Sequence, residues 1–168
     1  MMQKDTFWKL IEQSIKEKNS IDKNDQGDCL MDILTKYPIK DMVGFHHKLI
    51  TLRDELDSEA MREIATKMRY KGNETAYQGY RNWVISLGQK HYEKAKKSPK
   101  YLLTLDDPNL YVVGRAYFPD LNFVASGAYY TLTDKEISDW EELIKTKQQN
   151  RLEDLSKTNN DKSRILER

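Results

Sequence analysis

The sequence predicts a mainly α-helical protein, a compact multi-helix array in a single domain. Apolar residues recur at helical spacing through most of the chain, and residues that cap or end helices separate these stretches. A length of 168 residues is typical of one domain. With 38% hydrophobic and 33% charged residues, the chain has enough apolar side chains to build a core and is not of the disordered class.

The first three helices are predicted from apolar stripes. The first spans about residues 5–18, where Asp5 or Thr6 can serve as the N-cap. A second helix follows the polar stretch 19–28, and a third spans about residues 39–56. The apolar face of the third helix is wide, which indicates contact with more than one neighbour.

Two further helices have clear start signals. Asp57 or Ser58 is predicted to cap a fourth helix, and Asn73 a fifth. The fifth helix has the cleanest apolar face in the chain, which we expect to be interior packing: Ala76, Tyr77, Tyr80, Trp83, Val84 and Leu87. Gly88 should end or kink this helix, and helical periodicity then continues until Pro99 stops it.

The sequence changes character after position 100. Residues 101–131 contain seven aromatic residues, and we expect this segment to cover the helices and bury its rings. The runs 110–113 and 123–125 fit either short strands or helical turns. We place the helical domain at residues 1–147, and we interpret 148–168 as a polar tail that is either helical or mobile.

A last helix is predicted to begin at Thr133. Thr133 and Glu136 have the spacing of a capping box, in which each side chain accepts from the other residue's backbone N–H. Leu132 and Ile137 are placed as the accompanying hydrophobic staple.

The charges are unevenly distributed along the chain although the net charge is only +1. Residues 62–100 have a local balance of +7, whereas residues 22–59 have −4 and residues 104–142 have −6. The basic segment is either neutralised by the acidic segments inside the fold or forms an exposed face for an acidic protein or a phosphate-rich ligand. The near-neutral total argues against a nucleic-acid or membrane-surface protein.

No motif of a known catalytic, cofactor or metal site is present. The sequence has no G-x-x-x-x-G-K-[ST] loop, no G-x-G-x-x-G, no G-x-S-x-G and no H-E-x-x-H. One cysteine cannot form a paired-cysteine zinc site, and we interpret Cys29 as a small buried side chain. His46 is interpreted as a structural histidine. We therefore expect no catalytic residues, no metal and no cofactor.

The candidate binding residues are Arg81, Lys90, His91, Lys94 and Lys97. Arg81 lies in the helix most clearly committed to the core, so its guanidinium either pairs internally or binds a ligand carboxylate or phosphate. His91 lies between Lys90 and Lys94 and is interpreted as part of a basic surface rather than as a general base.

The fifth helix also carries a family resemblance. The run YRNWVISLG at residues 80–88 resembles the aromatic-Arg-x-Trp-Leu-Ile-x-x-Gly core of the bacterial domain-of-unknown-function family 4240, and the resemblance extends over about residues 5–103. That family usually has an acidic Ser-Asp-Asp-Gly run before the aromatic residue, where this chain has NETA at residues 73–76. The resemblance implies a helical cytoplasmic bacterial domain and no mechanism.

The leading functional hypothesis is a non-catalytic protein-binding module, of the kind represented by bacterial immunity and accessory proteins, that docks a protein partner through its basic face. The alternative is an enzyme or small-ligand binder for an anionic ligand centred on Arg81. A polar N-terminus and the single cysteine predict a cytoplasmic protein without a secretion signal or membrane span.

Overall fold

The computed structural model describes residues 2–17, 23–68, 73–105 and 117–146. These residues form helices and connecting turns and contain no strand, which confirms the predicted fold class. The helices are α1 (Lys4–Glu17), α2 (Lys23–Leu34), α3 (Ile39–Asp54), α4 (Glu59–Lys67), α5 (Glu74–Ser86), α6 (Gln89–Lys97), α7 (Val124–Thr133) and α8 (137–146). Two short 3-10 helices span Pro99–Thr104 and Pro119–Asn122. Within these ranges no helix is both long and apolar enough to cross a bilayer.

Helix α5 is the central element of the core. It contacts α3, α4, α6 and the 3-10 helix at Pro119–Asn122. The side chains of Tyr77, Tyr80 and Trp83 are at most 2% exposed. The predicted interior face of the fifth helix is therefore confirmed, and its aromatic rings hold neighbouring helices together.

The predicted caps of α4 and α5 are also confirmed. The side chain of Ser58 accepts a hydrogen bond from Met61 N, and the side chain of Asn73 accepts one from Ala76 N. Gly88 separates α5 from α6 with φ +95°, a left-handed conformation that side chains with a Cβ rarely adopt. Gly88 therefore allows the chain to leave α5 and begin α6, because this junction residue adopts the unusual backbone conformation.

The second helix begins earlier than its apolar pattern predicts. Helix α2 begins at Lys23, within the polar stretch that the sequence analysis placed before it. Gln26 is the reason, because it is 4% exposed and its Nε2 donates to Ser14 Oγ (3.2 Å) and to the Ser86 carbonyl (3.0 Å). Polar contacts anchor this turn, and apolar periodicity cannot reveal them.

The capping box predicted at Thr133 is wrong. Thr133 is the last residue of α7, and its Oγ1 donates to the Tyr129 carbonyl (2.7 Å) instead of capping a following helix. Asp134 then adopts a left-handed conformation (φ 54°) that ends α7. Leu132 and Ile137 are 51% and 65% exposed, so they form no buried staple. Thr133 therefore ends α7 and does not begin the next helix, α8.

The start of α8 uses a different residue pair. The backbone N–H of Glu136 donates to Asp139 Oδ2 (3.1 Å), which is half of a capping box shifted by three residues. Of the two runs that fitted strands or turns, 123–125 opens α7, and 110–113 lies outside the described residues. The predicted tail at 148–168 also lies outside them, so the domain boundary stays a prediction.

Candidate functional site: the basic face of α6

The structure places the five predicted binding residues in two different environments. Arg81 is buried in α5, with 3% of its surface exposed. Lys90, Lys94 and Lys97 are exposed on α6, and His91 is partly exposed beside them. The two environments differ in how their positive charge is balanced.

Arg81 is held by carboxylates and a backbone carbonyl. Its Nη2 donates to Glu74 Oε1 (2.7 Å), and its Nη1 donates to the Arg53 carbonyl (3.3 Å) and lies 3.7 Å from Asp57 Oδ2. The guanidinium carbon lies 4.4 Å from the centroid of the Tyr77 ring. These contacts join the end of α3, the α3–α4 link and the first turns of α5.

A second arginine uses the same partners from the outside. Arg62 Nη2 lies 3.1 Å from Asp57 Oδ1 and 3.1 Å from Glu74 Oε2. Its guanidinium carbon is 4.1 Å from the centroid of the Tyr77 ring. Two arginines and two carboxylates therefore balance each other around one tyrosine, and burial raises the pKa of that tyrosine.

The network continues inward through residues that the sequence analysis did not select. Arg53 Nη1 donates to Asn122 Oδ1 (2.8 Å), and Asn82 Nδ2 donates to the same oxygen (3.0 Å). Burial lowers the pKa of the Arg53 guanidinium. Asn82 was detectable as a polar residue within an apolar helix, but Asn122 belongs to a distant segment and has no signal in the sequence.

The inner face of α6 packs into the core. Tyr92 and Ala95 are fully buried. The Tyr92 hydroxyl lies 3.0 Å from the Leu52 carbonyl oxygen and 2.9 Å from Glu55 Oε2, and donates to this acceptor pair. Burial, and secondarily the bond to Glu55, raises the pKa of Tyr92. The orientation of α6 on α3 is thus set by an aromatic side chain with a polar end.

One flank of α6 pairs with charged residues of α1 and of the turn that follows α3. Lys96 Nζ lies 2.6 Å from Glu55 Oε2, and its hydrogen bond lowers the pKa of Glu55. On the same flank, three residues earlier, Glu93 Oε1 lies 2.7 Å from Lys4 Nζ. These pairs border the outer face and leave its lysines outside them.

The outer face of α6 carries one charge sign. Lys90, Lys94 and Lys97 have the i, i+4, i+7 spacing that places side chains on one side of a helix, and Lys100 follows in the adjoining 3-10 helix. All four are exposed. In the part of the chain that the structure describes, no carboxylate lies within 4 Å of any of the four ammonium groups. We call these four lysines with His91 and Tyr101 the basic face.

Tyr101 organises the middle of the basic face. Its hydroxyl is hydrogen-bonded to His91 Nδ1 (2.9 Å), and Lys94 Nζ lies 5.0 Å from the centroid of its ring. The side chain of Tyr101 is partly buried. The lysines and His91 were predicted from the sequence, but Tyr101 was not, because it lies beyond the proline that ends α6.

The remaining candidate groups lie elsewhere. Cys29 is buried, as predicted, and its Sγ lies 3.5 Å from Glu17 Oε2. The His46 ring meets the Trp140 ring edge-on, with centroids 5.6 Å apart, and burial lowers the pKa of His46 to about 4. Among the described residues, no three His, Cys, Asp or Glu side chains converge as metal ligands would.

Comparison with known proteins identifies one family. The model of the family described as "Protein of unknown function (DUF4240)" matches residues 2–131. That range contains every helix from α1 to α6 and most of α7. No curated protein and no solved structure matches the chain.

Proposed function

The chain belongs to the DUF4240 family, and we propose that it is a non-catalytic protein-binding module whose basic face docks an acidic protein partner. The observation that carries the proposal is the row of four exposed lysines on α6 and its extension, none of which has a carboxylate within 4 Å in the described part of the chain. Between Lys90 and Lys97 this row is about 10 Å long. A row of one charge sign steers an oppositely charged partner toward productive encounter.

The composition of the basic face suits a protein partner. Tyr101 adds aromatic surface and a hydroxyl group at its middle, and tyrosines are enriched among the residues that dominate binding energy at protein interfaces. The helix beneath is fixed by Tyr92 and by the Lys96–Glu55 pair. The partner therefore meets a preorganised surface, which lowers the entropy cost of association.

The competing proposal is an anionic ligand at Arg81. The Nε atoms of Arg53 and Arg81 favour it, because both are buried and donate to no acceptor in the described structure. The burial of Arg81 opposes it, since a ligand would have to displace Glu74 and open the α3–α5 packing. We therefore give Arg81 a structural role in our proposal.

Further elements of the proposal concern the cellular context. We place the protein in the cytoplasm, with bacterial immunity or accessory proteins as the kind of protein we expect. A single buried cysteine supports a reducing compartment. A toxin or secretion gene beside the coding gene would support this context, whereas a metabolic operon would favour the Arg81 alternative.

Affinity capture tests the docking proposal. The immobilised chain is incubated with extract of its own source cells, treated with nuclease, at about 0.15 M salt. We expect one acidic protein to be captured in stoichiometric amount, and its purified form to bind wild type at least about tenfold more tightly than the variant Lys90→Glu/Lys94→Glu. The matched variant Lys9→Glu/Lys16→Glu changes the same charge on exposed positions of α1 and should bind as wild type.

Two outcomes would refute the docking proposal. One is the absence of any stoichiometric partner. The other is a partner that both double variants bind equally well. Capture that occurs from untreated extract and is lost after nuclease treatment would instead point to nucleic-acid binding by the basic segment. A thermal shift with a nucleotide or phosphorylated metabolite that Arg81→Ala abolishes, with the fold intact by circular dichroism, would replace the proposal by a ligand site.

A further inference from the structure

A second surface, at the junction of α7 and α8, has the opposite charge. Residues 134–136 link the two helices, and five carboxylates of the junction are exposed: Asp134, Glu136, Asp139, Glu141 and Glu142. The bases here are Lys135 and Lys145. Within the described residues, the one ion pair of this junction is Lys145 Nζ to Glu141 Oε2, at 3.7 Å. We call the junction from Leu132 to Glu142 the acidic corner.

The acidic corner also exposes apolar side chains. Leu132 and Ile137 flank the link and are 51% and 65% exposed. They are among the few large hydrophobic side chains that the described structure leaves open to solvent. An apolar centre with a charged rim is the usual anatomy of a protein interface.

The acidic corner is held in place by the core beneath it. Trp140 is 4% exposed and packs against Tyr129 and His46, with ring centroids 5.5 Å and 5.6 Å apart. Leu143 and Ile144 add partly buried contacts to the same core. The carboxylates on the outer side of α8 are therefore presented by an anchored helix.

We propose that the acidic corner of one molecule binds the basic face of a second copy. The argument is charge complementarity, since both surfaces are exposed and, among the described residues, few counter-charges pair with either of them. The lysine row of α6 is about 10 Å long, and α8, which carries three of the five carboxylates, is about 15 Å long. Two different surfaces form this contact, so the association is head-to-tail rather than two-fold symmetric.

This inference rests on the basic face of the proposed function and adds a regulation to it. A second copy and the acidic partner compete for the same lysines. Self-association should therefore cover the basic face at high protein concentration and low salt. Binding of the acidic partner should dissociate the self-associated molecules.

Sedimentation velocity of the full chain tests the inference without any partner. At about 20 mM salt we expect the weight-average mass to rise with protein concentration above the monomer value of 19.9 kDa. At about 500 mM salt, where charges are screened within a few ångströms, we expect a monomer at every concentration. A chain that stays monomeric at low salt overturns the inference and leaves the docking proposal standing.

A charge exchange identifies the two surfaces. Lys90→Glu/Lys94→Glu makes the basic face acidic, and Glu136→Lys/Glu142→Lys makes the acidic corner basic. Each variant alone should be monomeric at low salt, whereas an equimolar mixture should associate, because each variant supplies the surface that the other lacks. A mixture that stays monomeric overturns the inference.

Two further variants test whether the position of the charges and the apolar contact matter for association. Glu12→Lys/Asp32→Lys makes the same charge change on exposed positions of α1 and α2 and should associate as wild type. Ile137→Ser keeps every charge and should weaken association by removing apolar contact. Association of Glu136→Lys/Glu142→Lys that equals wild type would show that the acidic corner is not the surface used.

Discussion

Arg81 and the lysines of α6 come from the same basic segment of the sequence, yet the fold treats their charges in opposite ways. Arg81 is 3% exposed and contacts two carboxylates, a carbonyl and an aromatic ring. Lys90, Lys94 and Lys97 are exposed, and no described carboxylate lies within 4 Å of them. Buried charge must be paired because desolvation is costly, whereas exposed charge remains available for a partner.

This difference separates a structural role from a binding role. A residue whose charge is used inside the fold should matter for stability. A residue whose charge faces water should matter for association and should hardly affect stability. Mutations of Arg81 and of the exposed α6 lysines therefore test this difference directly.

The largest expected effect is at Arg81. Arg81→Ala removes charge-assisted hydrogen bonds and the cover over the Tyr77 ring, and we expect a loss of about 2–3 kcal/mol of unfolding free energy. The loss stays below that of a fully buried pair, because Glu74 and Asp57 are half exposed and regain water. Urea denaturation followed by circular dichroism measures it.

Arg81→Lys is the control for this prediction. It keeps the charge but loses the planar fork that reaches Glu74 and the Arg53 carbonyl together, so an intermediate loss is expected. A loss below about 0.5 kcal/mol for Arg81→Ala would show that the network is not structural, and the Arg81 ligand site would regain support.

The next-largest effect is expected at His46, a partly exposed side chain whose charge depends on pH. Burial lowers its pKa to about 4, and His47 and Arg53 add repulsion. Between pH 4 and pH 6.5, His46 binds a proton in the unfolded chain, where its pKa is near 6.5, but stays neutral in the folded chain. His46 therefore does not reduce the unfolding free energy above pH 6.5, and it reduces it progressively as the pH falls from 6.5 toward 4.

We expect this loss to be on the order of 1–2 kcal/mol, because His46 is partly exposed and solvent screens the charge. The measurement is the unfolding free energy of wild type and His46→Gln from pH 7 to pH 4. The difference between the two proteins isolates His46 from the carboxylates that titrate in the same range. If that difference does not change with pH, His46 is not held neutral by its burial.

A smaller effect distinguishes the two sides of α6. Tyr92→Phe removes the hydroxyl that donates to the Leu52 carbonyl and Glu55, and should cost about 1 kcal/mol of unfolding free energy. Tyr101→Phe removes a hydroxyl on the basic face and should cost less than about 0.5 kcal/mol. Equal losses in thermal or urea denaturation would contradict the distinction between the buried side of α6 and the basic face.

Much of the architecture could be predicted because it depends on local patterns. Ser58, Asn73 and Gly88 act within a few residues of their own position, and their roles were confirmed. The start of α2 and the end of α7 could not be predicted in the same way. Gln26 is stabilised by residues from α1 and α5, and Thr133 bonds backward in its own helix although its spacing to Glu136 fits a cap.

The basic face was predictable only in part for the same reason. The lysine spacing on α6 follows from helix geometry alone. The acidic partners of the other basic residues do not follow from it. Glu55 comes directly after α3 and reaches Lys96 of α6, and Glu74 reaches Arg62 and Arg81 together only after α4 and α5 have packed. Sequence periodicity shows which side chains share a face, and tertiary packing decides which charges remain exposed.

The smallest expected effect is the one on which the proposed function depends most. Lys90→Gln/Lys97→Gln should change the unfolding free energy by less than about 0.5 kcal/mol, because neither ammonium group has a carboxylate to lose in the described structure. Lys96→Gln on the same helix should cost slightly more at low salt and nothing at high salt, because Lys96 pairs with the exposed Glu55 at 2.6 Å. If Lys90→Gln/Lys97→Gln costs well over 1 kcal/mol, these lysines stabilise the fold, and the charge on α6 is no longer free for a partner.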